Sequence, residues 1–239
     1  MKLLDLTLDS PAENLALDEA LLEQAEAGQS ECDVLRLWES PQTAVIIGRS
    51  SRIGDEVDKA RCEHDQVPIL RRCSGGTSVV IGPGCLMYSV VLSYERNPAL
   101  RMVDVAHQYV LGNVASAVKQ FLPSATHQGT SDLTFGGRKF SGNSLRCKRD
   151  HLLYHGTVLC DFNLDLLSHY LKTPPRQPDY REQREHQAFV TNTGLDAGAL
   201  RDALADQWRA IAVLEAWPRS LTAELADQRY SQATWHNRL

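Results

Sequence analysis

A glycine-rich segment preceded by two arginines is the clearest chemical feature of the sequence. The stretch RRCSGGTS, residues 71–78, holds two guanidinium groups, three hydroxyl groups and two adjacent glycines. Glycines let backbone N–H groups approach a ligand closely, and hydroxyl groups can add further hydrogen bonds. Because Arg71 and Arg72 also supply positive charge, the pattern favours an anion-binding loop, although a tight turn without a ligand would explain the two glycines alone.

The residues after this loop disfavour the common phosphate-binding folds. A P-loop or a dinucleotide-binding turn leads into a helix, whose N-terminus faces the phosphate. Here the run CLMYSVVLSY (85–94) follows, and its β-branched and aromatic residues favour a strand. The G-x-G-x-x-G spacing and the Gly-Lys-Ser/Thr ending are both missing. We therefore predict a loop between two strands, in which Gly75 and Gly76 expose backbone donors.

A basic segment is a second candidate for binding an anion. The residues GGRKFSGNSLRCKR (136–149) include five lysines and arginines and no acid, whereas the whole chain has a net charge of -5. This contrast suggests a localised anionic ligand, with a solvated basic loop as the alternative. The negative net charge argues against a general nucleic-acid binder.

The cysteines and the apolar runs indicate the compartment. The six cysteines, at positions 32, 62, 73, 85, 147 and 160, form no Cys-x-x-Cys pair, which favours free thiols in a reducing environment. No apolar run reaches the length of a membrane span, and the N-terminus turns acidic too early for a signal peptide. We expect a cytoplasmic protein that is not membrane-bound.

The elements that must position these residues predict an α/β (α+β) fold. Alternation of Leu4, Leu6 and Leu8 predicts an edge strand, and a hairpin is expected about Gly136-Gly137. Further strands are expected in VLRLWE (34–39), TAVIIG (43–48), PILRR (68–72) and LLYHGTVLCDF (152–162).

Five helical segments and one long loop complete the predicted order. Ser10, Pro11 and Glu13 form a capping box for a helix that runs to about Gly28. Residues 54–65 predict a short helix, and residues 103–121 predict an amphipathic helix whose buried stripe runs from Val103 to Phe121. TPPRQPDYREQREHQ (173–187) predicts a surface loop. From residue 198 two more helices follow, the second capped by Ser220.

Several of these motifs together resemble lipoate–protein ligases and the related octanoyltransferases, which share a catalytic fold with biotin–protein ligases. RRCSGGTSVVIGPG is similar to the family's Arg-Arg-x-Ser-Gly-Gly-Gly loop, and SDLTFGGRKFSG is similar to its hairpin with Lys-x-Ser-Gly. ENLALDEALLE resembles the first helix, LRLWESPQTAVIIGRSS the second and third strands, and LLYHGTVLCDF the His-Gly-Thr strand. The closing YSQATWHNRL resembles the Tyr…Trp-Asn element.

The resemblance implies a fold and an activity. The fold would be a mixed, largely antiparallel sheet flanked by helices. The activity would be ATP- and Mg²⁺-dependent activation of lipoate or octanoate as an acyl-adenylate. The acyl group would then pass to a lysine of a lipoyl acceptor, either a glycine-cleavage H-like protein or the E2 lipoyl domain of a dehydrogenase.

The resemblance also assigns site residues. Lys139 would contact the carboxylate and phosphate of the adenylate, Asp132 would face Mg-ATP, and His155 would either bind or pack. The remaining expected ligand contacts come from the two glycine-containing loops, at Arg72, Ser74, Gly75, Gly76, Thr77, Ser141 and Gly142.

Some positions depart from the family pattern. Thr77 replaces a third glycine, Ile81 replaces a histidine, and Ser131 replaces an asparagine. The changes at Thr77 and Ile81 leave open a non-catalytic lipoate-binding homologue. The resemblance to octanoyltransferases, which share the fold and form a thioester on a cysteine, leaves open a cysteine-dependent acyltransferase that needs no ATP. Cys147, which lies between two basic residues, and Cys85, beside the glycine loop, are the candidate nucleophiles of the transferase alternative. One transferase branch has its cysteine where this chain has Leu152, which argues against that branch.

The domain organisation also follows from the resemblance. The Tyr230…Trp235-Asn237 element falls within the last ten residues. We therefore expect residues 1–239 to form one catalytic domain without the C-terminal accessory domain of two-domain ligases. A separate accessory protein or the loop 173–187 would then have to take over the role of that domain.

Overall fold

The computed structural model describes residues 1–30, 32–174 and 176–239. Eleven strands lie within these ranges, in a large sheet and a small sheet. The strands are β1 (Lys2–Asp5), β2 (Val34–Glu39), β3 (Ala44–Ile47), β4 (Ile69–Arg71), β5 (Val79–Ile81), β6 (Cys85–Ser93), β7 (Thr126–Gln128), β8 (Asp132–Phe135), β9 (Arg138–Cys147), β10 (His151–Leu159) and β11 (Ala212–Val213).

The helices are long at three points of the chain and short elsewhere. In chain order they are α1 (Pro11–Glu26), α2 (Ile53–Glu56), α3 (Lys59–His64), α4 (Val103–Lys119), α5 (Asp165–Tyr170), α6 (His186–Phe189), α7 (Ala197–Gln207), α8 (Arg219–Leu225) and α9 (Ala233–His236). The turns Pro98–Arg101 and Asp179–Arg181 are 3₁₀-helical, and Ala226–Tyr230 is a π-helical turn.

The large sheet has the order β11-β1-β2-β6-β10-β9-β8-β7. Only the pairs at one end, β11 with β1 and β1 with β2, are parallel, and the others in it are antiparallel. The centre is the pairing of β6 with β10, which extends over nine residues. The predicted mixed, largely antiparallel sheet is therefore confirmed.

Helices cover both faces of this sheet because side chains alternate along each strand. Leu152 and Tyr154 of β10 face the core that contains α4 and α7, whereas Leu153 between them packs with α1. Charged residues are scarce in these central strands, as expected for strands that are buried on two faces. The two faces thus leave β10 fully enclosed, so a polar residue on it needs an internal partner.

The small sheet has the order β4-β3-β5, with β3 parallel to β4 and antiparallel to β5. The glycine-rich loop connects β4 to β5 and therefore crosses over β3. The prediction of a strand–loop–strand connection is confirmed. The alternative interpretation, a tight turn between two paired strands, is wrong, because β4 and β5 are not adjacent in the small sheet.

Local predictions at the helices and hairpin hold in most places. Ser10 and Glu13 form the predicted capping box, although α1 ends at Glu26. The hairpin glycines, Gly136 and Gly137, both have positive φ angles, which residues with a side chain rarely adopt. Residues 54–65 contribute to two short helices instead of one.

Three predictions differ from the structure. β1 is not an edge strand, because β11 pairs with its outer side. The buried stripe of α4 is shorter than expected, since Val103 and Phe121 at its ends are 47% and 41% exposed. Helix α8 begins at Arg219 after Pro218, so Ser220 lies inside its first turn and does not cap it.

The loop 173–187 contains the turn Asp179–Arg181 and the start of α6, while Pro175 within it lies outside the described residues.

Among the described helices, none combines the length and the apolar character needed to cross a membrane.

Candidate functional site

The glycine loop is held from inside by Arg72. Its guanidinium group is buried, and it donates to the carbonyl oxygens of Gly75 and Thr77, the latter at 3.0 Å. Nε also lies 3.1 Å from the Oγ of Ser74, and Nη1 lies 3.3 Å from the carbonyl oxygen of Ile46. Burial lowers the pKa of Arg72 to about 10. Arg72 therefore shapes the loop that the sequence predicted it would help to form.

Gly48, at the end of β3, makes room for this loop. A Cβ atom at Gly48 would lie 1.8 Å from the carbonyl oxygen of Gly76, a distance that no side chain could occupy. Gly76 itself has a φ of +85°, and its carbonyl oxygen accepts a hydrogen bond from Ser51 Oγ at 3.1 Å. The loop thus depends on a third glycine outside its own motif.

Arg71, the preceding residue, joins the loop to the C-terminal segment. Its buried guanidinium group donates to five backbone carbonyl oxygens and pairs with no carboxylate within the described residues. Three of these carbonyls follow β3, at Gly48, Arg49 and Ser51, and two belong to Trp235 and His236.

The side chains of His236 and Trp235 also form hydrogen bonds with the backbone of Arg71. The backbone N–H of Arg71 donates to His236 Nδ1 at 2.9 Å, and the indole N–H of Trp235 donates to the carbonyl oxygen of Arg71 at 2.8 Å. The Tyr…Trp-Asn segment therefore closes against the strand that leads into the glycine loop.

A buried polar network lies behind the loop. Ser74 Oγ is 2.5 Å from His155 Nε2, and His155 Nδ1 is 3.4 Å from a carboxylate oxygen of Asp18 on α1. The other oxygen of Asp18 accepts from Arg36 at 2.6 Å and from Ser89 at 2.9 Å. All five side chains are buried.

Charge balance within this network explains how Asp18 stays ionised. Burial alone would raise the pKa of Asp18, but Arg36 and His155 outweigh it and lower that pKa. The structure thus gives His155 a defined role as the link between α1 and Ser74. Asp18 and Arg36 were missed as site residues, although Arg36 is a lone charge within the apolar run VLRLW.

Lys139 stands at the start of β9, where it meets Asp132 and Tyr180. Its Nζ lies 2.7 Å from one carboxylate oxygen of Asp132, and the Tyr180 hydroxyl group donates to the other oxygen at 2.7 Å. Burial and the neighbouring Asp132 raise the pKa of Tyr180. The predicted pair Asp132 and Lys139 is therefore in contact, with a tyrosine from the loop 173–187 added to it.

Two glycines of neighbouring strands provide the space for these groups. A Cβ atom at Gly142 would lie 2.9 Å from Lys139 Nζ, so the lysine side chain lies directly over this glycine. The N–H of Gly142 points to the Thr157 hydroxyl group at 3.3 Å. On β10, a Cβ atom at Gly156 would overlap the side chain of Asn143.

A cavity of about 90 Å³ opens beside these residues. Four predicted residues line it, and so does a set of apolar side chains from the small sheet, β10, α5 and α6. The predicted residues are Thr77, Lys139, Ser141 and Gly142. The apolar ones include Val79, Val80, Leu159, Leu167, Leu171 and Phe189.

The remaining predicted residues do not line the cavity. They are Arg72, Ser74, Gly75, Gly76, Asp132 and His155. The structure adds four ionisable lining residues that the sequence did not single out, Glu56, Lys172, Arg181 and His186. Glu56 accepts hydrogen bonds from both the N–H and the hydroxyl group of Ser78, at 2.6 and 2.7 Å.

A largely apolar cavity with several basic groups in its wall suits a carboxylic acid with an apolar chain. The model of the lipoyl protein ligase A/B catalytic domain matches residues 10–196 of this chain. The chain belongs to this family.

Other members of the lipoyl protein ligase family are similar over much of their sequence. The probable lipoate-protein ligase A of Mycoplasma pneumoniae is 32% identical over 161 residues, which are 67% of this chain and 46% of that protein. Lipoate-protein ligase A of Bdellovibrio bacteriovorus is 28% identical over 203 residues, which are 82% of this chain and 56% of that protein. The chain thus spans about half the length of these curated relatives.

Solved structures of the family confirm the fold. A lipoate-protein ligase A bound with ATP superposes with a TM-score of 0.83 at 24% identity, over all of this chain and 99% of that chain. A bi-partite lipoate protein ligase from Thermoplasma acidophilum gives a TM-score of 0.82 at 22% identity, with 100% and 96% coverage. The predicted lipoate ligase-like catalytic fold is therefore correct.

Neither candidate nucleophile of the family's transferase branch lines the cavity. Cys85 is fully buried, and burial raises the pKa of its thiol. Cys147 is exposed at the end of β9. Leu152, at the position of the cysteine in one transferase branch, is part of the apolar core.

The carboxylate of Asp132 can contribute to binding Mg²⁺ together with a nucleotide. Within the described ranges no cluster of three or more His, Cys, Asp or Glu could hold a metal ion without help. Each oxygen of Asp132 makes one hydrogen bond here and keeps a second lone pair. This donor set fits Mg²⁺, which proteins commonly hold with one or two carboxylates plus substrate phosphates.

Proposed function

We propose that this chain activates lipoate, or its shorter analogue octanoate, with ATP and transfers the acyl group to a lysine of an acceptor protein. The observation that carries the proposal is the position of Lys139, whose Nζ lies over Gly142 in the wall of the apolar cavity. Membership of the lipoyl protein ligase family supports the same conclusion.

The first half of the reaction joins two anions. A carboxylate oxygen of the acid attacks the α-phosphorus of ATP, the bond to the β-phosphate oxygen breaks, and pyrophosphate leaves. Lys139 places a fixed positive charge where negative charge accumulates, which lowers the energy of the transition state. Mg²⁺, held by Asp132 and the phosphates, would supply further positive charge.

The second half of the reaction transfers the acyl group. The uncharged amine of the acceptor lysine attacks the acyl carbon, AMP leaves, and the amide is formed after loss of a proton. The bi-partite ligase of Thermoplasma acidophilum is described with its E2 lipoyl domain. We propose an acceptor of this kind, an E2 lipoyl domain or a glycine-cleavage H-like protein. We also place the reaction in the cytoplasm, where six free cysteines are ordinary.

The experiment that tests adenylation is ATP–pyrophosphate exchange with lipoate and Mg²⁺. The wild-type chain should exchange, and Lys139→Ala should lose roughly 10²-fold or more, the scale of removing a preorganised charge. Lys119→Ala, at the end of α4 away from the cavity, is the matched control. Unchanged exchange in Lys139→Ala would contradict the role of this lysine.

The same experiment separates the two alternative functions. A cysteine-dependent transferase would show no exchange but would gain the mass of an acyl group on a thiol. A non-catalytic binding protein would show neither. The buried position of Cys85 and the absence of both candidate cysteines from the cavity wall favour the ligase.

Transfer is tested by weighing the acceptor. We propose that residues 1–239 suffice, because the loop 173–187 already lines the cavity with Pro174, Arg181 and His186. Incubation with lipoate, Mg-ATP and a lipoyl domain should add one lipoyl group to the domain. Transfer only after an accessory protein is added would show that the loop does not replace the accessory domain.

A further inference from the structure

Arg181 has an unusual environment beside the cavity. It lies in the turn Asp179–Arg181, it is only 4% exposed, and it lines the cavity. Nε donates to the carbonyl oxygen of Arg184 at 2.9 Å, and the guanidinium group stacks 4.7 Å from the ring centre of Phe189. Nη2 is enclosed by protein and has no hydrogen-bond partner among the described residues.

The other basic groups of the cavity wall each have a partner. Lys139 pairs with Asp132 at 2.7 Å. Lys172 Nζ donates to the carbonyl oxygen of Gly54 at 2.7 Å, and His186 Nε2 lies 3.2 Å from the carbonyl oxygen of Lys172. Arg181 forms no ion pair within the described part of the chain. Its Nη2 is therefore the one basic donor of this wall that is both buried and without a partner among the described residues.

A buried charged donor without an acceptor is costly, and such a group in a folded protein calls for an explanation. Burial already lowers the pKa of Arg181, which reflects the loss of water around the guanidinium group. A ligand in the cavity that Arg181 lines would supply this acceptor once the guanidinium group turns Nη2 toward it. The planar fork of a guanidinium group matches a carboxylate or a phosphate, because either can accept two parallel hydrogen bonds.

The turn that carries Arg181 is fixed on both sides. Tyr180 bonds Asp132 on β8, and Arg184 donates to the carbonyl oxygens of Tyr180 at 2.7 Å and Gly137 at 3.1 Å. The next residues, Glu182 and Gln183, have φ angles of +51° and +58°. Two consecutive non-glycine residues in this region are uncommon, and such strain persists where the surroundings impose it, often at functional sites.

We propose that Arg181 binds the oxyanion of the substrate in this cavity, either the carboxylate of the acyl chain or a phosphate of the nucleotide. This inference rests on the proposed ligase function, since it assigns the anion-binding residue of the same site. Lys139 then stabilises the charge on the reacting atoms, while Arg181 binds the anion at the cavity wall. Arg181 is a binding residue in a segment whose sequence predicted only a surface loop.

The test measures ligand binding by calorimetry in the purified chain, without turnover. The probes are lipoate, its neutral amide lipoamide, and AMP, each with wild type, Arg181→Gln and Arg181→Lys. Arg176→Gln removes the same charge from an exposed position of the same loop and is the matched control. Thermal melting of each variant checks that it is folded. Should Arg181→Gln fail to fold, Arg181→Met keeps the apolar contact with Phe189 and replaces it.

Loss of one charge-assisted hydrogen bond predicts roughly tenfold weaker binding or more. If the carboxylate is the ligand, Arg181→Gln weakens lipoate binding, and lipoamide binding stays unchanged. If a phosphate is the ligand, AMP binding falls instead. Arg181→Lys should restore part of the affinity, because it keeps the charge but not the fork.

Two other outcomes are distinguishable from these. If wild type binds lipoate and AMP but folded Arg181 variants bind both equally well, the role of Arg181 is overturned and the proposed function stands. If wild type binds neither ligand, the proposed function fails first.

Discussion

His155 on β10 and Ser74 in the glycine loop share a hydrogen bond of 2.5 Å between Nε2 and Oγ. Because Nδ1 of His155 faces the carboxylate of Asp18, we assign the proton to Nδ1, so that Nε2 accepts from the hydroxyl group of Ser74. Arg72 Nε lies 3.1 Å from the same Oγ. The loop is therefore tied to the centre of the large sheet through one serine.

Replacement of Ser74 by alanine should leave His155 Nε2 and Arg72 Nε without this partner. We expect Ser74→Ala to lower the free energy of unfolding by about 1–3 kcal/mol, the cost of an unsatisfied buried group. Urea unfolding measures the change, with Ser116→Ala on the exposed face of α4 as the control. Equal stability of the two variants would contradict the buried network.

A substitution at Gly142 tests the position of Lys139 without replacing the lysine itself. In Gly142→Ala the new methyl group would lie 2.9 Å from Lys139 Nζ, so the flexible lysine must move away. We expect roughly tenfold or greater loss of ATP–pyrophosphate exchange in a protein that still folds. Gly112→Ala in α4, where a Cβ atom meets nothing within 4 Å, should keep activity and gain about 0.5–1 kcal/mol of stability.

His236 should make stability depend on pH. Burial and the nearby Arg71 lower its pKa in the folded state, and its Nδ1 accepts from the N–H of Arg71. Below a pH of about 6.5 the unfolded chain binds a proton that the folded chain does not. This group's contribution is therefore intact above that pH and is lost as the pH falls toward the folded pKa.

The slope from His236 alone is at most about 1.4 kcal/mol per pH unit. Urea unfolding between pH 5 and 7.5 should show a shallower decline in His236→Asn, since the Asn oxygen can replace Nδ1 as acceptor. The exposed His127→Asn serves as control and should follow wild type. Parallel pH curves for His236→Asn and wild type would rule out this source of the dependence.

The two candidate cysteines should be dispensable for activity. Cys85→Ala and Cys147→Ala should each keep ATP–pyrophosphate exchange within roughly tenfold, since neither thiol lines the cavity. Cys85→Ala should also lower the free energy of unfolding by about 1 kcal/mol, because it leaves a small cavity in the core. Complete loss of activity in either folded variant would revive acyl transfer through that thiol.

The sequence predicted the features that depend on neighbouring residues. The capping box at Ser10, the positive φ angles of Gly136 and Gly137, and the loop between β4 and β5 follow from local sterics and propensity. The resemblance to a known family added Lys139 and Gly142, which the structure places together.

The parts that the sequence did not predict depend on packing between distant segments. Asp18 and Arg36 form one ion pair only because α1 lies across β2, and Arg72 points into its own loop because β3 supplies Ile46 as a further acceptor. The charged loop 173–187 was expected at the surface. Arg181 is buried because Phe189 covers it, a contact that composition does not reveal.

The bonds of Arg71 matter for anyone who builds a fusion protein. The guanidinium group of Arg71 donates hydrogen bonds to the backbone of Trp235 and His236. Force applied to residue 239 would therefore reach Arg71, and through the adjacent Arg72 it would reach the glycine loop. A tag joined rigidly at that end would act on the substrate site, whereas a flexible glycine-serine spacer would decouple the two. Removal of residues 235–239 would take away two acceptors from the buried Arg71 and disturb the glycine loop without changing its sequence.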